Sequence, residues 1–141
     1  MKKIIALAIA LMALAPVMDA QIQKTDSFST KVVTSVRTGF VKLMHSNDYF
    51  LAMNTTNQFD DAVLIKLGND KETAIQTLND LIGILESLKG NDMQYIKNGY
   101  NEELCLYKIG TALCAKQKGN AGYANVGKGE LQKFIKALEK E

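Results

Sequence analysis

The sequence predicts an α+β fold in which one ββββα unit is used twice. Two observations carry that expectation. Short β-branched and aromatic runs up to Leu67 give way to apolar residues at three- and four-residue steps from Ala74 to Leu88, and this succession returns between Met93 and Leu138. Strands in the two halves are offset by about 59 to 63 residues. The segments entering each helix also match, Leu64-Ile65-Lys66-Leu67-Gly68 against Tyr123-Ala124-Asn125-Val126-Gly127.

In the first half, Lys31 to Arg37 is strand-like, and Phe40 to His45 follows after Gly39. Ser46-Asn47-Asp48 turns the chain into Tyr49 to Thr55, and a polar loop leads to the strand Ala62 to Leu67. Ala74, Ile75, Leu78, Leu81, Ile82, Leu85 and Leu88 then define one face of a helix. Asn69 or Asp70 is its expected cap, with Glu72 in the capping-box position if Asn69 serves, and Gly90 its expected stop.

In the second half, Met93 to Lys97 is a strand and Asn98-Gly99 a tight-turn signal. Glu103 to Lys108 and Thr111 to Gln117 form a hairpin about Gly110, and Tyr123 to Val126 is the last strand. A helix with Leu131, Phe134, Ile135 and Leu138 on one face closes the chain. A unit of about 60 residues buries too little surface to be comfortable alone. The half-repeats, about 30–90 and 91–141, are therefore expected to share one core in a single domain over 30–141.

Ahead of this lies a different kind of segment. Met1-Lys2-Lys3 is basic, Ile4 to Val17 is almost wholly aliphatic, and Ala20 precedes a polar stretch. That layout is a secretory signal peptide over residues 1–20, too short to span a membrane, with cleavage expected between Ala20 and Gln21. Residues 21–29 are polar and unpatterned, the expected N-terminal arm of a soluble periplasmic or extracellular product. Removing the leader leaves 121 of 141 residues with a net charge of +1 instead of +2. Such a balance argues against a strongly basic nucleic-acid binder, and the mature chain has no second apolar run to anchor it in a bilayer.

An oxidising compartment permits a disulfide between the only two cysteines, Cys105 and Cys114. If the hairpin loop has two residues (Ile109, Gly110) or four (Lys108 to Thr111), these cysteines stand opposite each other at bridging distance. The alternative is two buried thiols packing as small apolar groups. Their spacing matches no zinc or redox motif.

Catalytic patterns are scarce. His45, the only histidine, lies beside Ser46 and Asp48, but adjacent turn residues do not supply triad geometry. Asp60-Asp61 and Glu102-Glu103 are carboxylate pairs whose neighbours point to opposite strand faces, so solvated turns are expected. Gly119, Gly122, Gly127 and Gly129 lack phosphate-loop spacing. No catalytic set, metal site or cofactor site emerges.

Lys97, Lys108, Lys116 and Lys118 with Tyr95, Tyr107 and Tyr123 would put charge and stacking rings on one sheet. In topology alone, such a tandem four-strand-plus-helix arrangement resembles the single-strand-binding Whirly and PUR families and that of the coactivator positive cofactor four. The resemblance implies a single-stranded nucleic-acid partner, which the low charge and exported character oppose. The first expectation is instead a small exported non-enzymatic protein of binding or cell-envelope role. Tyr95, Tyr107, Lys116 and Tyr123 are its candidate interaction face for a protein, peptide or glycan, unless the other half covers that face. A hydrolase is the remaining enzyme alternative, and the sequence accommodates either a monomer or a homodimer.

Overall fold

The computed structural model describes residues 30–141; the expected signal peptide and N-terminal arm lie outside the described residues. The first unit comprises β1 (Lys31–Val36), β2 (Val41–His45), β3 (Tyr49–Met53), β4 (Val63–Gly68) and α1 (Lys71–Ser87). The second comprises β5 (Gln94–Lys97), β6 (Glu103–Ile109), β7 (Ala112–Gln117), β8 (Ala124–Gly127) and α2 (Lys128–Glu139). Each set of four strands forms its own antiparallel meander in chain order, so the repeated ββββα architecture expected from the sequence is the one observed.

Alternation explains the sheets. In β3 and β4 every second side chain is buried, namely Tyr49, Leu51 and Met53, then Val63, Ile65 and Leu67. The second sheet buries Leu104, Leu106, Leu113, Ala115, Ala124 and Val126. Both inner faces meet the apolar sides of the helices in one hydrophobic cluster. α1 packs on β3 and β4, α2 packs on β1 and β8, and the two helices pack on each other. No helix among the described residues is long and apolar enough to cross a membrane.

The helix ends show which local signals acted. Asp70 caps α1, its carboxylate accepting from the Thr73 amide at 2.7 Å. Asn69 with Glu72 is therefore not the cap pair used. The helix stops at Ser87, and Leu88 is the C-cap with its amide donating to the Ile84 carbonyl. Gly90, at φ 55°, lies two residues past that cap and shapes the following turn instead of ending the helix. The N-cap of α2 is Gly127, whose amide donates to Glu130 Oε1 at 2.9 Å.

Long-range joints tie the units together, and two of them are reciprocal. From the first unit, Arg37 in the β1–β2 turn reaches the second, donating to Glu130 through Nε at 2.8 Å and to Asn125 Oδ1 at 2.9 Å. From the second unit, the β5–β6 loop reaches back, where the Asn98 carbonyl accepts from the Lys66 amide on β4 at 2.8 Å. Each first-hairpin loop thus docks on the last strand of the other unit. A third joint links the β3–β4 and β7–β8 loops. Asp60 accepts from Thr55 Oγ1 at 2.7 Å, the Ala121 amide at 2.9 Å and the Gly122 amide at 2.7 Å.

Asp60 is therefore not the solvated turn residue its sequence context suggests. The Thr55 hydroxyl above all, with the two amides and nearby Lys116, holds its carboxyl below the usual carboxylate range, outweighing the opposing effect of partial desolvation. A depressed folded pKa means that this contribution is present above the unfolded value of about 3.9 and lost as pH falls through the folded value. We expect Asp60→Asn to lower the urea midpoint at neutral pH and to flatten its decline in acid. Parallel acid limbs for both proteins would show that Asp60 carries no such linkage.

Candidate interaction surface

The outward face of the second sheet follows from the pairing of β6 with β7. Ile109 stands opposite Ala112, so the hairpin loop is Gly110-Thr111. Gly110 has φ 61°, the conformation that a two-residue hairpin turn with glycine first requires. This register differs by two residues from the one expected. Cys105 pairs with Lys116, and Cys114 pairs with Tyr107. The cysteines share a face but are diagonal neighbours, about 7–8 Å apart at Cα by general sheet geometry. A disulfide needs about 4.4–6.8 Å. Both thiols are free, and the expected cross-strand bridge is not formed.

The corrected register builds a row. Tyr95 on β5 stands opposite Cys105 on β6, and Cys105 stands opposite Lys116 on β7. Tyr123, the residue before β8, is next in that line because Ala115 pairs with Ala124. The neighbouring row holds Tyr107, Cys114 and Asn125. The four expected surface residues thus share one face, while Leu104, Leu106, Leu113 and Ala115 face the core as their alternation implied. Tyr95 is 62% exposed, Tyr107, Lys116 and Tyr123 are half-buried, and Cys114 is buried.

Neighbouring side chains fix this face. The Tyr107 and Tyr123 rings meet edge to face with centroids 6.1 Å apart. Tyr123 is held from the first unit, its carbonyl accepting from the Thr56 amide at 3.0 Å and its amide donating to Thr56 Oγ1 at 3.3 Å. A side-chain hydrogen bond with Cys105 above all pushes the Tyr95 phenol up. Burial does the same for Tyr107 and for the Cys114 thiol. The phenols of Tyr95 and Tyr107 therefore stay protonated at physiological pH.

The basic residues are less concentrated than the sequence suggests. Lys116 Nζ donates to the Asn120 carbonyl, so its ammonium is engaged by the β7–β8 loop. Lys108 pairs with Leu113 and belongs to the core-facing alternation. Of the four lysines expected to line one nucleic-acid surface, Lys108 is on the other side and Lys116 is already engaged.

The remaining sequence candidates separate in space. His45 stacks on Tyr49 with ring centroids 3.9 Å apart and nearly parallel planes, and Tyr49 donates to Glu141 Oε1 at 2.8 Å. Asp48 pairs with Lys66 at 3.7 Å, not with His45. Glu102 accepts from Asn98 Nδ2 and Gln117 Nε2, whereas Glu103 is exposed. Among the described residues no group of three or more His, Cys, Asp or Glu could hold a metal. Compared with family models, curated proteins and solved structures, the chain matches none.

Proposed function

We propose that this chain is a non-catalytic, exported binding module that docks a protein or peptide partner on the outward face of β5–β8. One observation carries the proposal: Tyr95, Cys105 and Lys116 lie in a single row across β5, β6 and β7, Tyr123 continues that row just before β8, and Tyr107 packs against Tyr123. Tyrosine supplies a large contact area with a polar tip, loses little conformational freedom, and is enriched among residues that dominate interfaces. Export rests on the leader pattern of residues 1–20 and predicts a mature chain starting at Gln21, which intact mass would check.

Peptides selected from a random display library against the folded chain provide the test of the surface. Tyr95→Ala and Tyr123→Ala should each weaken the selected peptides about tenfold or more, the effect of removing an interface anchor. Tyr95 is exposed, so the first variant leaves the core intact. Peptides indifferent to both variants would place recognition elsewhere. Salt-sensitive retention on single-stranded DNA, with no peptide selected, would replace this reading with a single-strand binder.

A further inference from the structure

The β1–β2 turn holds a backbone conformation that its residues disfavour. Val36 pairs with Val41, so the turn is Arg37-Thr38-Gly39-Phe40. Arg37 has φ 50° and Thr38 has φ 54°, both in the left-handed region. There the Cβ of an L residue crowds the following carbonyl, and a β-branched residue such as threonine fits worst. Thr38 is exposed, so burial of its side chain does little to offset that strain. Strain of this kind persists only where surrounding contacts over-determine it.

The Arg37 side chain supplies those contacts. Its guanidinium donates to both oxygens of Glu130, at 2.8 Å through Nε and 3.1 Å through Nη2, and to Asn125 Oδ1 at 2.9 Å. Nη2 also donates to the Asn125 carbonyl. A planar guanidinium bound to a carboxylate by two hydrogen bonds is among the strongest and most directional of side-chain contacts. It falls on an edge, because β8 ends its sheet with β7 as its one strand neighbour. An edge strand presents unpaired main-chain groups to other chains, and Arg37 takes up one of them at Asn125. Asn125 also ends the row of Tyr107 and Cys114, so the covered edge is the margin of the tyrosine face.

We propose that the β1–β2 turn is a strained latch on β8: Arg37 holds it shut, and when it opens Thr38 relaxes and the edge of β8 is bared. The test is a double-mutant cycle followed by urea unfolding. Thr38→Gly removes the strain and should raise the folding equilibrium constant about fivefold, the left-handed penalty less the added freedom of glycine in the unfolded chain. In the Arg37→Ala background the latch is already open, and the same change should give no gain. A gain that persists without Arg37 would place the strain in the turn itself, and no gain with Arg37 present would mean that there is none; either result overturns the proposal. Solvent exchange of the Arg37 Nε hydrogen, followed by NMR, reads the opening in a chain that keeps Arg37. Thr38→Gly should slow that exchange about fivefold, in step with its gain in stability. An unchanged rate overturns the latch even if Arg37→Ala fails to fold.

Discussion

Replacing Phe134 by alanine should cost about 3–5 kcal/mol of stability, the range for deleting a buried aromatic ring. Phe134 has no exposed surface and heads the large side chains that are fully buried. It lies on α2, which packs on α1, β1 and β8 and therefore touches both units. The ring cannot be replaced by water, because the cavity would be lined by apolar groups. Domains of this size commonly hold only about 5–15 kcal/mol in total. Phe134→Ala should thus remove about a fifth of the total stability or more, and lower the urea midpoint in proportion. Phe134→Leu keeps most of the volume and should lose considerably less. Since the apolar faces of both units form one cluster, the loss should appear in a single transition seen alike by circular dichroism and tyrosine fluorescence. Two separated transitions would mean that the units do not share their core.

The elements were legible in the sequence because each sheet has one buried face and each helix one apolar side. Leu104, Leu106, Leu113 and Ala115 could be assigned to the core from alternation alone, and they are there. Register was less legible, since alternation survives a slip of two residues unchanged. The hairpin about Gly110 suffered that slip, and it cost the expected disulfide. A signal was present: glycine is preferred at the first of two loop positions when that residue takes positive φ, which selects Gly110-Thr111. The joints between units left no such trace. Arg37 meets Glu130 across 93 residues and Asp60 meets Gly122 across 62, and no local pattern distinguishes them from solvated turn residues.

Asn98→Ala should be the most damaging change outside the apolar core, costing about 2–4 kcal/mol by leaving polar groups unpaired. Asn98 is 1% exposed, and three of its side-chain hydrogen bonds close the β5–β6 loop. Oδ1 accepts from the Tyr100 amide at 2.8 Å and the Glu102 amide at 3.1 Å, while Nδ2 donates to Glu102 Oε1 at 2.9 Å. This is a loop of five residues wrapped on a side chain, not the two-residue turn that Asn98-Gly99 suggests, since Lys97 pairs with Glu103. The loop also carries the joint to the first unit, where the Asn98 carbonyl meets the Lys66 amide. Gly99 sits there at φ 90°, and a Cβ on it would come within 2.5 Å of the Lys66 Cβ. Losing Asn98 therefore loosens the loop and the reciprocal docking together. Asn98→Asp separates the hydrogen-bond network from simple packing. It retains an acceptor for the two amides but turns a second oxygen toward the Glu102 carboxylate, where like charges repel. Its deficit should be large at neutral pH and shrink as acid protonates either carboxyl, whereas that of Asn98→Ala should vary little over the same interval. If the aspartate variant showed the same deficit at every pH, Asn98 would act through its volume and not through the amide that bridges to Glu102.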